Sequence, residues 1–172
     1  ASNKKYKNWN DLLYYCKFSA NPVGRFVIDA VNERKNIEKI YEASDSLCTA
    51  LQIINHIQDC KKDFKELNRV YIPESFFKKY SVDKKILRKS KSIENFERLK
   101  IEIVDNVLVS LRKTKLGLRE IQSWRLRKET LIILNIAKRL CNLLKINDPL
   151  EKQIKLSRID FIFCFFKGIM YD

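Results

Sequence analysis

The chain has 172 residues and a formal net charge of +14, from 35 basic and 21 acidic side chains. Its 45% hydrophobic content, with three Gly and three Pro, is that of one helix-rich globular domain and excludes a collagenous, low-complexity or disordered protein. The charge admits nucleic acid, anionic lipid or a diphosphate as partner, but Lys is spread over nearly every predicted helix rather than clustered with aromatics, which argues against nucleic acid.

Trp9 to Phe18 reads as a helix with Asn10 or Asp11 as its cap, broken or kinked at the Asn21-Pro22 step. Ser19, Ala20 and Gly24, set among Phe18, Val23, Phe26, Val27 and Ile28, suit close approach between helices. Asp29 and Glu33 stand four apart and read as a solvated face or a salt-bridge pair, and 32–41 reads as a charged connection or short helix.

The next helix is predicted from Ser44 to about Leu67, with Ser44 or Asp45 as cap. Gln52, Asn55, Asp59 and Asp63 fall on one stripe of it, while Leu47, Ile53, Ile54, Ile57, Cys60 and Phe64 fall on the other side. Amide and carboxylate oxygens without a thiolate or imidazole suit a hard cation such as Mg²⁺, which takes one or two carboxylates plus substrate phosphate oxygens. The same spacing is also that of an ordinary solvated face balanced by Lys61, Lys62 and Lys65.

Pro73 opens a short helix through Phe77, and Ser81 to Ser92 is a basic link. Ile93 to about Gly117 and Ser123 to Ile146 keep a helical apolar period, and after Asp148-Pro149 a last helix is predicted within Leu156 to Met170. With no strand signal, the expectation is an all-α bundle. Five Cys without C-x-x-C spacing and one His give neither a zinc set nor a disulfide framework, which points to the cytosol. No run of 18 apolar residues exists, so any membrane association is expected to be peripheral.

Leu51 to Pro73 resembles the second aspartate-rich motif of the squalene/phytoene synthase family. There N-x-x-x-D-x-x-x-D on a cavity-lining helix is followed by R-[VI]-Y-[LIV]-P, here Asn55, Asp59, Asp63 and then Arg69 to Pro73. The run A-L-Q-x-I-N-H-x-Q-D-C is similar to the hydroxysqualene synthase branch, with Asn68 where that branch usually has Asp. Tyr15, Cys16, Ala20, Val23 and Gly24 match the family's Y-C-x-x-x-A-x-x-V-G, and Pro22 and Arg25 follow the same branch. The 124–144 helix and Leu156 to Asp160 resemble the family more weakly.

The resemblance implies that residues 1–172 are the C-terminal portion of a single isoprenoid-synthase-type helical domain. It implies Mg²⁺ on Asp59 and Asp63, diphosphate contacts from Gln52, Asn55 and Arg69, and catalytic roles for Tyr15 and Tyr71. On the residues alone, Tyr15 reads as a core aromatic whose hydroxyl finds a buried partner. The implied substrate is a prenyl diphosphate lipid, converted from presqualene diphosphate to hydroxysqualene. The alternatives are head-to-head prenyl transfer of the phytoene or squalene synthase type and a non-catalytic assembly factor.

The family's first aspartate-rich helix lies upstream of the Tyr15 motif and outside these residues, and the chain begins at Ala. These two facts lead to the expectation of a missing N-terminal segment, of no turnover by this chain alone, and of an open apolar side covered by self-association or a partner.

Overall fold

The computed structural model describes residues 5–170, and every regular element among them is helical. Two short helices, α1 (Trp9–Ser19) and α2 (Asn21–Ala30), lead into the long α3 (Ile37–Gln58), which is followed by α4 (Cys60–Leu67) and α5 (Glu74–Lys79). A 3₁₀ turn at Lys84–Arg88 precedes α6 (Glu94–Leu118), α7 (Trp124–Ile146) and α8 (Arg158–Met170). This is the expected all-α bundle.

Helix α3 occupies the middle. It packs on α6 and α2, while α6 packs on α7 and α7 on α8. The apolar period supplies the contacts: Ile40, Ile53 and Ile54 of α3, Phe96, Leu99, Ile103 and Leu111 of α6, and Leu134, Ala137 and Leu144 of α7 are all buried. At Gly24 the approach of α2 to α3 is so close that an added Cβ would fall 2.6 Å from Cys48 Sγ and nearer still to Ser44 Oγ. Gly168 plays the same part between α8 and α7, where a Cβ would sit 2.8 Å from the Ile132 backbone.

Several sequence expectations need correction. Asn8, not Asn10 or Asp11, caps α1, its side chain accepting the Asp11 N–H at 3.1 Å. The predicted helix from Ser44 to Leu67 is two helices, so neither Ser44 nor Asp45 is a cap. The first starts earlier, at Ile37, because Ile40 is fully buried and carries the apolar period back through a charged segment. It ends at Gln58, where Asp59 leaves helical geometry at φ −100°, ψ 8°. Asp29 and Glu33 are not a pair. The Asp29 carboxylate accepts the Tyr41 hydroxyl. Glu33 is buried and accepts the backbone N–H groups of Gln122 at 3.1 Å and Ser123 at 2.6 Å, at the start of α7. The basic link at 81–92 is not featureless, since its 3₁₀ turn buries Ile86 and Leu87.

Two apolar faces have no cover within the described residues. One is formed by Phe18, Val23 and Phe26, the last 73% exposed. The other is α8, of which Cys164 and Gly168 alone are buried while Ile159, Phe163, Phe166 and Met170 stand exposed. No helix among the described residues is long and apolar enough to cross a membrane.

Candidate functional site

The oxygen-bearing stripe survives the break between α3 and α4. Asp59 N–H donates to the Asn55 carbonyl at 2.9 Å, and Asp63 N–H donates to the Asp59 carbonyl at 2.8 Å. Asn55, Asp59 and Asp63 are therefore successive steps of one four-residue ladder, even though the chain bends within it. Just past α4, Asn68 adopts a left-handed conformation at φ 50°, and Arg69 N–H bonds the Asp63 carbonyl at 3.0 Å. Asn tolerates that conformation, as the Asp usual at this position of the branch also does.

The electrostatics link these residues. Burial raises the Asp63 carboxyl above the ordinary carboxylate value, and the neighbouring Asp59 charge raises it further. Arg69 and Lys62 oppose the rise. Two carboxylates that repel each other, one of them partly desolvated, form a place where a divalent cation relieves the repulsion. This donor set fits Mg²⁺ in the mode that uses two carboxylates and completes its shell with water and substrate oxygens. Among the described residues no group of three or more His, Cys, Asp or Glu side chains converges as an all-protein metal cage. Asp59 also faces an open basic groove lined by Lys61, Lys62, Lys65 and Lys152.

Tyr15 and Tyr71 are brought together in an aromatic cluster. Their ring centroids are 5.8 Å apart, and Tyr6 lies 5.5 Å from Tyr15 and 5.9 Å from Tyr71. Burial raises the Tyr15 hydroxyl, and the neighbouring Tyr71 adds to the rise while Ser19 opposes it. Burial also raises Tyr6, with Tyr15 and Tyr71 adding and Arg69 opposing, so the charge of Arg69 is felt at both Tyr6 and Asp63. Gln52 is half-buried and its amide meets His56 Nε2 at 3.1 Å, whereas Asn55 and Arg69 are exposed. Tyr6 and His56 were not singled out from sequence. His56 lies inside the motif, but its place against Tyr71 depends on how the chain folds back after α4.

An apolar cavity of about 390 Å³ opens between α2, α3, the end of α6 and α7. Val23, Val27, Leu118 and Ile133 line it together with Ser44, Cys48 and Leu51 of α3. The α3 face that carries Ser44, Cys48 and Leu51 continues as Gln52 and Asn55 and leads to Asp59 just past the helix end, roughly 12 Å from Leu51 along the axis. One helix face thus passes from an apolar trough to an acidic end.

A family model described as squalene/phytoene synthase matches residues 1–160. The chain belongs to the squalene/phytoene synthase family. Hydroxysqualene synthase of Sinorhizobium fredii is 35% identical over 162 residues, covering 94% of this chain and 54% of that protein. The Zymomonas mobilis enzyme of the same name is 37% identical over 155 residues, 90% of this chain and 51% of that protein. This family member spans about half the length of the curated relatives it matches.

Among solved structures, squalene synthase HpnC of Alicyclobacillus acidocaldarius superposes with a TM-score of 0.75 at 25% identity, over 83% of this chain and 52% of that one. A dehydrosqualene synthase crystallised with a ligand superposes with a TM-score of 0.87 at 17% identity, over 98% of this chain and 59% of that one. The second likeness concerns the fold alone. Both place the bundle in the isoprenoid-synthase architecture.

Proposed function

We propose that this chain supplies a pair of metal-binding carboxylates and part of the hydrocarbon cavity of an enzyme that converts presqualene diphosphate to hydroxysqualene with Mg²⁺. The observation that carries this reading is the α3 face running from Leu51 in the apolar cavity to Asn55, and from there one hydrogen-bond step on to Asp59 just past the helix end. An amphiphile with a long apolar tail and a diphosphate head requires such a face. The resemblance to hydroxysqualene synthases of two species supports this reaction over the others of the family.

In this reading Asp59 and Asp63 hold Mg²⁺, which when bound neutralises the diphosphate as its C–O bond breaks. Asn55 and Gln52 orient water or phosphate oxygens, and Arg69, exposed beside Asp63, adds a positive charge for the departing diphosphate. Tyr71 contacts the same group, and Tyr15 walls the pocket behind it. The apolar residues of the cavity keep bulk water from the carbocation until one water captures it.

Calorimetric titration of the 172-residue chain with inorganic diphosphate in the presence of Mg²⁺ tests the site directly. Binding is expected in the wild type and at least a tenfold loss in Asp59→Ala, with helix content by circular dichroism unchanged. In a protein active on presqualene diphosphate, the same substitution is expected to slow turnover by roughly 10²-fold or more. Near-normal turnover or undiminished diphosphate binding would remove Asp59 from the metal site.

A further inference from the structure

The chain's sole histidine, His56, lies in the aspartate motif with its side chain turned inward. Its ring lies face to face on Tyr71, with centroids 3.5 Å apart and planes within 7° of parallel, and 6.0 Å from the Tyr15 ring. One ring nitrogen, Nε2, meets the Gln52 amide at 3.1 Å, one helical turn before it. The other, Nδ1, is buried and has no hydrogen-bond partner among the described residues.

Each alternative residue would satisfy half of this arrangement. A phenyl ring would stack on Tyr71 but leave the half-buried Gln52 amide unpaired, and an amide side chain would meet Gln52 but not cover the Tyr71 face. The imidazole does both. Which way round the Gln52 amide lies fixes the tautomer. If the amide NH₂ donates, the imidazole proton is on Nδ1; if the amide oxygen accepts, the proton is on Nε2. Either way Nδ1 keeps an unmet hydrogen-bonding capacity, which costs stability and which packing alone does not require.

We propose that His56 is a positioning residue of the aspartate site, a neutral imidazole that clamps the Tyr71 ring on its face and the Gln52 amide on its edge. The proposal rests on the reading of Gln52 and Tyr71 as groups that meet a diphosphate. Burial supports it by holding the ring uncharged, so that it does not repel a bound cation or a developing carbocation. The unmet Nδ1 leaves one polar atom to respond when the site is filled.

Because there is one histidine, [¹⁵N]histidine labelling of the chain gives a single imidazole spin system. In the wild type at pH 7 one tautomer is expected, and its Nδ1 resonance is expected to shift when Mg²⁺ and inorganic diphosphate are added. His56→Phe, still folded by circular dichroism at the temperature of the titration, is expected to bind the Mg²⁺–diphosphate pair roughly tenfold more weakly, the signature of positioning rather than folding. Should His56→Phe not fold, Gln52→Leu decides. It keeps the ring on Tyr71, and the single tautomer is expected to give way to a mixture.

Averaged tautomers in the wild type, wild-type diphosphate affinity in His56→Phe, or an undisturbed tautomer in Gln52→Leu would each overturn the proposal. If the wild type binds no diphosphate, the assignment of Asp59 and Asp63 fails instead. The tautomer in Gln52→Leu still decides whether His56 holds Gln52.

Discussion

Glu33→Gln is expected to destabilise the protein far more than its place in a charged connection suggests. The Glu33 carboxylate is 4% exposed, and its two oxygens accept separate backbone N–H groups, those of Gln122 at 3.1 Å and Ser123 at 2.6 Å. Ser123 is itself the cap of α7, accepting the Leu126 N–H at 3.3 Å, so the carboxylate closes the end of a helix from outside. Hydrogen bonds to a charged group contribute ~1.5–3 kcal/mol each, and a buried donor left unpaired costs about 1–3 kcal/mol. Gln keeps one acceptor oxygen and sets an NH₂ against a backbone N–H.

The net loss is therefore about 3 kcal/mol, or roughly 6–12 °C in Tm for a chain of this size. Differential scanning calorimetry measures it. Asp29→Asn is the control, because the Asp29 side chain is exposed and its one partner among the described residues is the Tyr41 hydroxyl, and a loss of about 1 kcal/mol or less is expected. A Glu33→Gln protein melting within about 1 °C of wild type would refute the capping argument.

Acid should destabilise the fold through His56. Its folded value is pushed down by burial from 6.5 to about 4, so between those pH values the unfolded chain takes a proton that the folded one refuses. This contribution is intact above pH 6.5 and is lost progressively down to pH 4, about 3 kcal/mol in all. The difference in urea midpoints between pH 7 and pH 4.5 should shrink in His56→Phe, and an equal difference in both proteins would exclude it. Asp59→Asn should lower the Asp63 carboxyl toward the ordinary range, since the largest charge contribution to its rise is removed. A ¹³C-carboxyl titration unchanged by the substitution would show that the two carboxylates do not interact. The exposed faces of α2 and α8 should drive self-association that persists from 0.1 to 1 M salt, where the Debye length falls from roughly 10 Å to about 3 Å. Light scattering that finds monomers at both concentrations would refute it.

Helix periodicity was easily read because burial follows it. Phe96, Leu99, Ile103, Val107 and Leu111 repeat at helical spacing, and all of them are in the core. The stripe of Asn55, Asp59 and Asp63 could be read for the same reason, being local in sequence. Contacts closed over long separations were not. Nothing around Glu33 announces a partner 89 or 90 positions away, and an acidic residue in a charged stretch reads as solvated until the start of α7 is placed on it. The start of α3 was hidden because Ile37 and Ile40 stand among Glu, Lys and Asn, which dilute the apolar signal. The His56 stack on Tyr71 depends on the reversal at Asn68, a backbone event that side-chain pattern reports poorly.

The ladder through the bend at Asp59 also governs which changes of chain length the protein can absorb. Its carboxylates share a direction only because each is one four-residue hydrogen-bond step from the last. Deleting or inserting one residue between Asn55 and Asp63 would turn everything downstream by about 100°, carrying Asp63 away from Asp59 and Arg69 away from both. The link between α5 and α6 has no such phase to keep, and its exposed stretch at 88–91 can gain or lose a residue at the expense of a little loop entropy. Length variation among natural or engineered versions of this chain should therefore gather near residue 90 and be missing from 55 to 63.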